Sequence, residues 1–370
     1  MHAPPAFDLV RTRRASLRRL LALARLRESF AVASPPSLRN AAVAGMQTSL
    51  ALLIAVAATH LSPWAHMEGF PALGALAALF GRFAPAGRRM PVVFLAGLLL
   101  AASVGVLSAA SIAGAAPATM LICLALLAGA LTWLTNRWRL GAPGAVIFVF
   151  AACAAVGPVD AWRTVAARVL FTMAGAAVAW AACGATDRLR SEVPLPAAAG
   201  SDRPLPHQWI AAGRIALCAA SAALLALAAG WPHPAWAAIG ATAVMQGSHL
   251  HITMHRAVQR TVGTMIGAAL AWGILASPPT FWPLLAAVVV LQFVTELVIG
   301  FNYVFGLICV TPMALLMTSL AAPASGAGMP MARVLDTVLG ALVGIAFALV
   351  FSTLDDRTHL AVHHEMARAG

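Results

Sequence analysis

Two carboxylates stand inside long apolar runs: Glu296, in Leu291-Gln292-Phe293-Val294-Thr295-Glu296-Leu297, and Asp336, in Arg333-Val334-Leu335-Asp336-Thr337. A charge in such surroundings is costly unless it is paired or moves an ion or substrate, so each is a candidate for coupling or recognition. Around Glu296 lie Gln292, Thr295, Asn302 and Tyr303, the chain's single tyrosine, which together form the most polar stretch within the apolar runs. Two readings of Glu296 stay open: a coupling or substrate-recognition group, or an interface residue that snorkels from a span end. Asp336 follows Arg333 by three residues, a pairing distance on one helix, so a structural ion pair is expected, with exchange of partners during a cycle as its rival. Thr311-Pro312 interrupts another run, where proline removes a backbone hydrogen bond and is expected to kink the helix. Broken helices line many transporter sites, and proline is also tolerated in membrane helices for packing alone.

A second pattern, Arg-x-x-x-Thr-x-x-Gly, occurs as Arg168/Thr172/Gly175, Arg260/Thr264/Gly267 and Arg333/Thr337/Gly340. Positions i and i+4 share a helix face, so each arginine stands at the start of a span with threonine one turn deeper and glycine opening the face to a neighbour. Gly263-x-x-x-Gly267 and Gly340-x-x-x-Gly344 are small-residue stripes suited to close helix contact in lipid. The plain reading of the pattern is packing and anchoring.

Of His249, His251 and His255, the last two have i,i+4 spacing, but no carboxylate or cysteine accompanies them, so a wet loop is expected rather than a metal site. Cys123, Cys153, Cys183, Cys218 and Cys309 show no paired spacing and read as small core residues. The chain has no phosphate-binding loop, nucleophile elbow, zinc-protease motif or dinucleotide fingerprint. Neither an enzyme nor a resident cofactor is expected, and an ATP-driven pump would need an outside motor.

The elements that position these residues follow from composition. Of 370 residues, 61% are hydrophobic and 10% charged, too little polar material to cover a soluble domain of this size. An apolar run of about 20 residues crosses a bilayer as a helix. Runs fall at 41–60, 70–84, 91–113, 118–135, 141–157 and 164–183, then at 210–230, 234–248, 258–276, 281–299, 302–321 and 331–353. The expected fold is an all-α transmembrane bundle of twelve spans. Ala167-Arg168-Val169-Leu170-Phe171-Thr172 recurs 165 positions later as Ala332-Arg333-Val334-Leu335-Asp336-Thr337, which divides the spans into two six-helix repeats. An even number of spans in each gives the repeats one orientation, related by an axis along the membrane normal.

The resulting organisation is an Arg-rich amphipathic segment at 1–40, a first repeat at 41–185, a proline-rich linker at 186–208, a second repeat at 209–353 and a tail at 354–370. The formal charge of +12 comes from arginines that cluster in the breaks between runs, so it reads as membrane orientation rather than nucleic-acid binding. With the N-terminus inside, twenty-one arginines fall on the cytoplasmic side and three, Arg163, Arg168 and Arg333, on the other. Both termini and the linker are then cytoplasmic, and membrane lipids are expected partners. Between Arg11 and Phe30, Arg alternates with Leu and Ala at helical spacing, which suits a helix lying on an anionic leaflet. No uninterrupted apolar core or cleavage site marks it as a removable signal peptide.

From Pro234-Ala-Trp-Ala to Val244-Met245-Gln246, then through Arg256, Arg260 and Gly263-Thr264-x-x-Gly267, the chain resembles the fusaric acid resistance (FUSC) family of membrane proteins. The resemblance continues through Glu296, Asn302-Tyr303, Thr311-Pro312 and Arg333-x-x-Asp336-Thr337-x-x-Gly340, covering roughly 234–350. It implies a bacterial inner-membrane exporter, similar to pumps for aromatic and other hydrophobic carboxylic acids. Its expected partners are a small organic acid and either a second copy of the chain or a periplasmic adaptor protein. Many long members of the family carry a soluble domain where this chain has only the 186–208 linker. The leading expectation is a proton-driven secondary efflux transporter. A non-transporting envelope scaffold is the rival, and a membrane enzyme acting on lipid comes third, for want of a paired carboxylate or His/Asp set at one membrane face.

Overall fold

The computed structural model describes residues 29–32, 37–82, 84–191, 205–247, 250–276, 280–321 and 328–351. Among them the regular structure is helical, with one α-helix for each apolar run. The helices are α1 (Leu38–His60), α2 (Gly69–Ala75, continued as a 3-10 segment Leu76–Gly81), α3 (Ala86–Ile112), α4 (Pro117–Arg137), α5 (Ala145–Ala154) and α6 (Trp162–Ala185). They are followed by α7 (Leu205–Ala228), α8 (Pro234–Met245), α9 (Leu250–Leu275), α10 (Phe281–Val298), α11 (Tyr303–Ala321) and α12 (Met329–Val350). Local signals set several starts. Ser37 accepts the Asn40 N–H at 3.1 Å to cap α1, and proline occupies the first turn of α4, α8 and α12.

The all-helical bundle is as expected, but these twelve helices are unequal in length. Among the described residues seven helices, α1, α3, α4, α6, α7, α10 and α12, are long and apolar enough to cross a membrane. The apolar segments Gly69–Gly81, Ala145–Ala154, Pro234–Met245 and Tyr303–Ser319 are shorter. Enclosure explains the short ones: from Ala237 to Met245 every residue of α8 is buried, so that helix faces protein rather than lipid. Helix α9 is long, but Arg256 and Arg260 lie along it and it is not among the seven. Exposed tryptophans stand at helix ends, Trp162 on α6, Trp209 on α7, Trp272 on α9 and Trp282 on α10, as an aromatic belt requires. The chain is a multi-pass membrane protein.

Helix α6 packs on α2 and α3, α12 packs on α8 and α9, α9 packs on α11, and the two halves of the chain meet where α4 lies on α7 and α1 on α10. Glycines govern the closest crossings. A Cβ on Gly175 would sit 2.0 Å from the Pro71 carbonyl oxygen, and one on Gly340 would sit 2.6 Å from that of Ala237. On α9, a Cβ at Gly263 would meet Leu307 Cβ at 2.6 Å and one at Gly267 would meet Thr311 Cβ at 2.8 Å. The small-residue stripes are therefore contact faces, with a neighbouring helix lying where a side chain would go.

Helix α11 continues past Thr311-Pro312, with Pro312 inside it. The Ile308 carbonyl, which Pro312 leaves without its i+4 donor, lies against Gly267 of α9, so the missing hydrogen bond falls at a close interhelical contact. Cys183 and Cys218 are buried and the other three cysteines half-buried, all as free thiols, in keeping with a core role.

Candidate functional site

Gly45 on α1 brings α10 close: a Cβ there would lie 3.0 Å from the Phe293 ring and 3.3 Å from Glu296 Cβ. Into this contact the residue ending the 3-10 segment, Arg82, sends a guanidinium that donates to the Glu296 carboxylate and to its main-chain carbonyl, each at 2.8 Å. The Arg82 and Glu296 side chains are only 7% and 6% exposed, so Glu296 is a buried ion-pair partner joining the two halves of the chain. Snorkelling is excluded by that burial.

The pair sits in a larger network. Arg190 donates to the Gly81 carbonyl at 3.0 Å, to that of Arg82 at 3.3 Å and to Gln47 Oε1, while Gln47 Nε2 donates to Thr186 Oγ1 at 2.7 Å. Burial, with the Arg89 cation nearby, pulls the Arg190 pKa down to about 10, which leaves it charged at neutral pH. Arg89 pairs with Asp187, and Ser191 is held by Asn40 at 2.9 Å. The first residues of the expected linker, 186–191, therefore belong to the bundle; residues 192–204 lie outside the described residues, as do 1–28 and with them most of the expected amphipathic segment.

The rest of the polar stretch around Glu296 divides among separate partners. Gln292 is 1% exposed and its Nε2 has no partner, while Thr295 donates to the Leu291 carbonyl at 2.7 Å. Asn302 donates to the carbonyls of Ser29 and Ala31 at 3.1 and 2.9 Å and accepts the Val304 N–H at 2.8 Å, capping α11. Tyr303 accepts a hydrogen bond from Arg260 of α9 at 3.1 Å. Sequence proximity suggested one site, and the structure shows three attachments.

Arg333 and Asp336 are not ion-paired, which corrects the expected structural pair. The Arg333 guanidinium lies over the Trp236 ring of α8, 5.1 Å from its centroid. Long helical side chains lean toward the helix N-terminus, which carries this one away from Asp336. Asp336 is wholly buried and neither carboxylate oxygen has a hydrogen-bond partner; Arg333 Nε, Arg260 Nε and the buried Thr242 hydroxyl of α8 also lack one. A matching arrangement occurs in the first half. Arg168 lies over Phe70 at 5.2 Å and donates to Ser108 and to the Ala155 carbonyl at 3.3 Å, and Thr172 donates to the Arg168 carbonyl at 2.8 Å. Thr264 and Thr337 are buried within their helix contacts.

Several participants escaped sequence reading. Arg82 and Arg190 belong to the arginines read only as orienting charges, although Arg82 directly follows an apolar segment too short to span. Glu68 is 9% exposed and lies 3.1 Å from His60, whose ring stacks on Phe281 at 3.3 Å. Glu68 also borders an apolar pocket shared by α1, α2, α10 and α11. Gln246 caps α5: with its amide oxygen facing the donors it accepts from Ala145 N at 2.9 Å and Val146 N at 3.1 Å. The His251 and His255 rings stand 6.3 Å apart edge to face, and His249 lies outside the described residues. No group of three or more metal-ligating side chains occurs among the described residues.

Both halves hold an arginine over an aromatic ring and a close glycine crossing, and the second half adds the unpaired carboxyl of Asp336. Residues 219–347 match the family described as fusaric acid resistance protein-like. The resemblance read from Pro234 to Gly340 holds. Within this fusaric acid resistance protein-like region lie Glu296, Arg333 and Asp336, together with the crossings of α8 with α12 and of α9 with α11. A relative from Bacillus subtilis (strain 168), the uncharacterized membrane protein YvaC, is 36% identical over 126 residues, 34% of this chain. The matched stretch spans 20% of that relative's length, about a fifth. No solved structure matches the chain.

Proposed function

We propose that this protein is a secondary transporter of the inner membrane that exports small organic acids, aromatic ones among them, at the expense of the proton gradient. The observation that carries the reading is the enclosed charge of the second half: Arg333 over Trp236, Arg260 beside Tyr303, and Asp336 without a partner, all inside a multi-pass bundle. Charges kept in such surroundings mark substrate and ion pathways. A guanidinium on an aromatic face with an unused N–H suits an aromatic carboxylate, which offers an anion to the cation and a ring to the indole. The fusaric acid resistance protein-like match supports a transporter-like role for the same region.

The two halves act in this reading as repeats. Phe70 with Arg168 corresponds to Trp236 with Arg333, and the crossing at Gly74 and Gly175 corresponds to that at Gly240 and Gly340. The apolar pocket bordered by Glu68 lies between elements of the two halves, where a path between repeats would run. The arginine distribution supports cytoplasmic termini, with Arg168 and Arg333 near the outer face.

The test is accumulation of radiolabelled 4-hydroxybenzoate and related weak acids in cells lacking the protein, expressing it, or expressing Arg333→Gln protein at matched membrane levels. Lower accumulation with the wild type, abolished by an uncoupler and by the substitution, is the expected outcome. Equal accumulation across a broad panel of acids would sink the export reading and favour the envelope scaffold.

A further inference from the structure

Asp336 is the charged group for which the structure provides least. Both carboxylate oxygens are enclosed and without a donor, whereas the Glu296 carboxylate receives a hydrogen bond from Arg82, which also donates to the Glu296 main-chain carbonyl. An ionised carboxylate in that position forgoes water without compensation, while a protonated carboxyl is neutral and needs far less. Packing does not call for an acid there. In the first-half hexapeptide, otherwise identical, the residue is Phe171, and the same Arg-over-aromatic contact and glycine crossing form around it.

The surrounding groups narrow the role further. Helix α12 packs on α7, α8 and α9, yet among the described residues only Arg333, on its own helix, acts on Asp336 electrostatically. Arg333 is in turn within reach of Arg260 of α9, Cys153 of α5 and Tyr303 of α11, and it acts on His233 before α8. The cation placed to answer a charge on Asp336 is therefore stacked on Trp236, three residues away on the same face.

We propose that Asp336 is an internal proton-binding site: its carboxyl holds one proton while Arg333 rests on Trp236, and loss of that proton to water draws Arg333 off the indole to pair with the carboxylate. The step breaks one O–H bond and transfers the proton to water, and re-protonation reverses it. The use of this proton to drive export rests on the function proposed above; the binding site itself does not.

Infrared difference spectroscopy of the purified protein in lipid, taken across a pH change with no substrate present, tests the site. The expected result is a protonated-carboxyl C=O band that disappears with rising pH in the wild type and in Glu296→Gln, is absent in Asp336→Asn and is shifted in frequency in Asp336→Glu. Trp236 emission should change over the same pH range, and that component should be missing in Trp236→Phe. A wild-type band left unchanged in both Asp336 variants would overturn the proposal; should Asp336→Asn fail to fold, the presence or absence of a shift in Asp336→Glu decides alone. An Asp336 band without acid export would leave the proton site standing and remove the export reading, and export without such a band would do the reverse.

Discussion

Replacing Gly175 by alanine places a methyl carbon 2.0 Å from the Pro71 carbonyl oxygen and 2.7 Å from its carbonyl carbon. Because a tolerable C···O contact begins near about 3.3 Å, α2 and α6 must part by roughly 1.3 Å at the crossing. At Gly340 the corresponding contact is 2.6 Å to the Ala237 oxygen, and the required separation is only about 0.7 Å. Overpacking of this kind costs about 1–3 kcal/mol, with Gly175→Ala at the upper end and Gly340→Ala lower. A methyl group on Gly213 of α7 or Gly273 of α9 would meet nothing within 4 Å, so alanine there keeps only its helix advantage of about 0.5–1 kcal/mol. The helix advantage is common to all three, so the expected order of stability is Gly213→Ala above wild type, then Gly340→Ala, then Gly175→Ala, with roughly 1–3 kcal/mol between the extremes. Denaturant titration in mild detergent, followed by circular dichroism, measures the series. Should Gly175→Ala unfold together with Gly213→Ala, the close crossing that organises the bundle would be wrong.

Removing one partner of the Arg82–Glu296 pair, as in Arg82→Ala, should cost about 3–5 kcal/mol in the same titration, while Arg82→Met with Glu296→Leu should fall much closer to wild type; equal losses in both would show that burial does not dominate. Gln246→Ala removes the cap of α5 and should cost about 0.5–2 kcal/mol, with Gln246→Glu retaining most of it because an acceptor remains, and a null result for Gln246→Ala would contradict the capping role. Burial, then the Arg333 cation, lowers the His233 pKa, so the imidazole is neutral in the fold and the unfolded chain takes up the proton first as pH falls. Its contribution to stability is therefore complete above about pH 6.5 and lost progressively below it, and His233→Gln should flatten that acid limb in melts recorded across pH; an unchanged limb would refute the assignment.

The helices were legible because each is an apolar run bounded by arginine, glycine or proline, and the glycine stripes were legible because small residues at i,i+4 have few other uses in lipid. Length was not legible for α2, α5 and α8, since a helix surrounded by protein is as apolar as one surrounded by lipid and needs no set length. Pairing across the chain was hidden for a different reason. Arg82 and Glu296 lie 214 positions apart, and no periodicity links a residue in one half to its partner in the other. Spacing on one helix also misled: i,i+3 places Arg333 and Asp336 on a common face, but the lean of the arginine and the nearby indole decide where the guanidinium rests.

The two intramembrane carboxylates therefore exchange the roles their sequence surroundings suggested. Glu296, in the more polar stretch, is tied to Arg82 by two hydrogen bonds at the seam between α1 and α10, and releasing it would expose a buried cation as well as a buried anion. In the proposed cycle a group so held would serve as a latch. Asp336, next to an arginine and thus read as half of a stable pair, has no hydrogen bond or ion pair to give up before it changes protonation, and in the proposed site a side-chain rotation of Arg333 would answer the charge that results. Environments that push two similar groups apart assign them different work, and here the difference lies in whether a donor is already in place. That ordering can fail in one visible way: if Glu296→Gln abolishes uncoupler-sensitive export at unchanged stability while Asp336→Asn leaves it intact, the latch is the moving part and the unpartnered carboxyl is not.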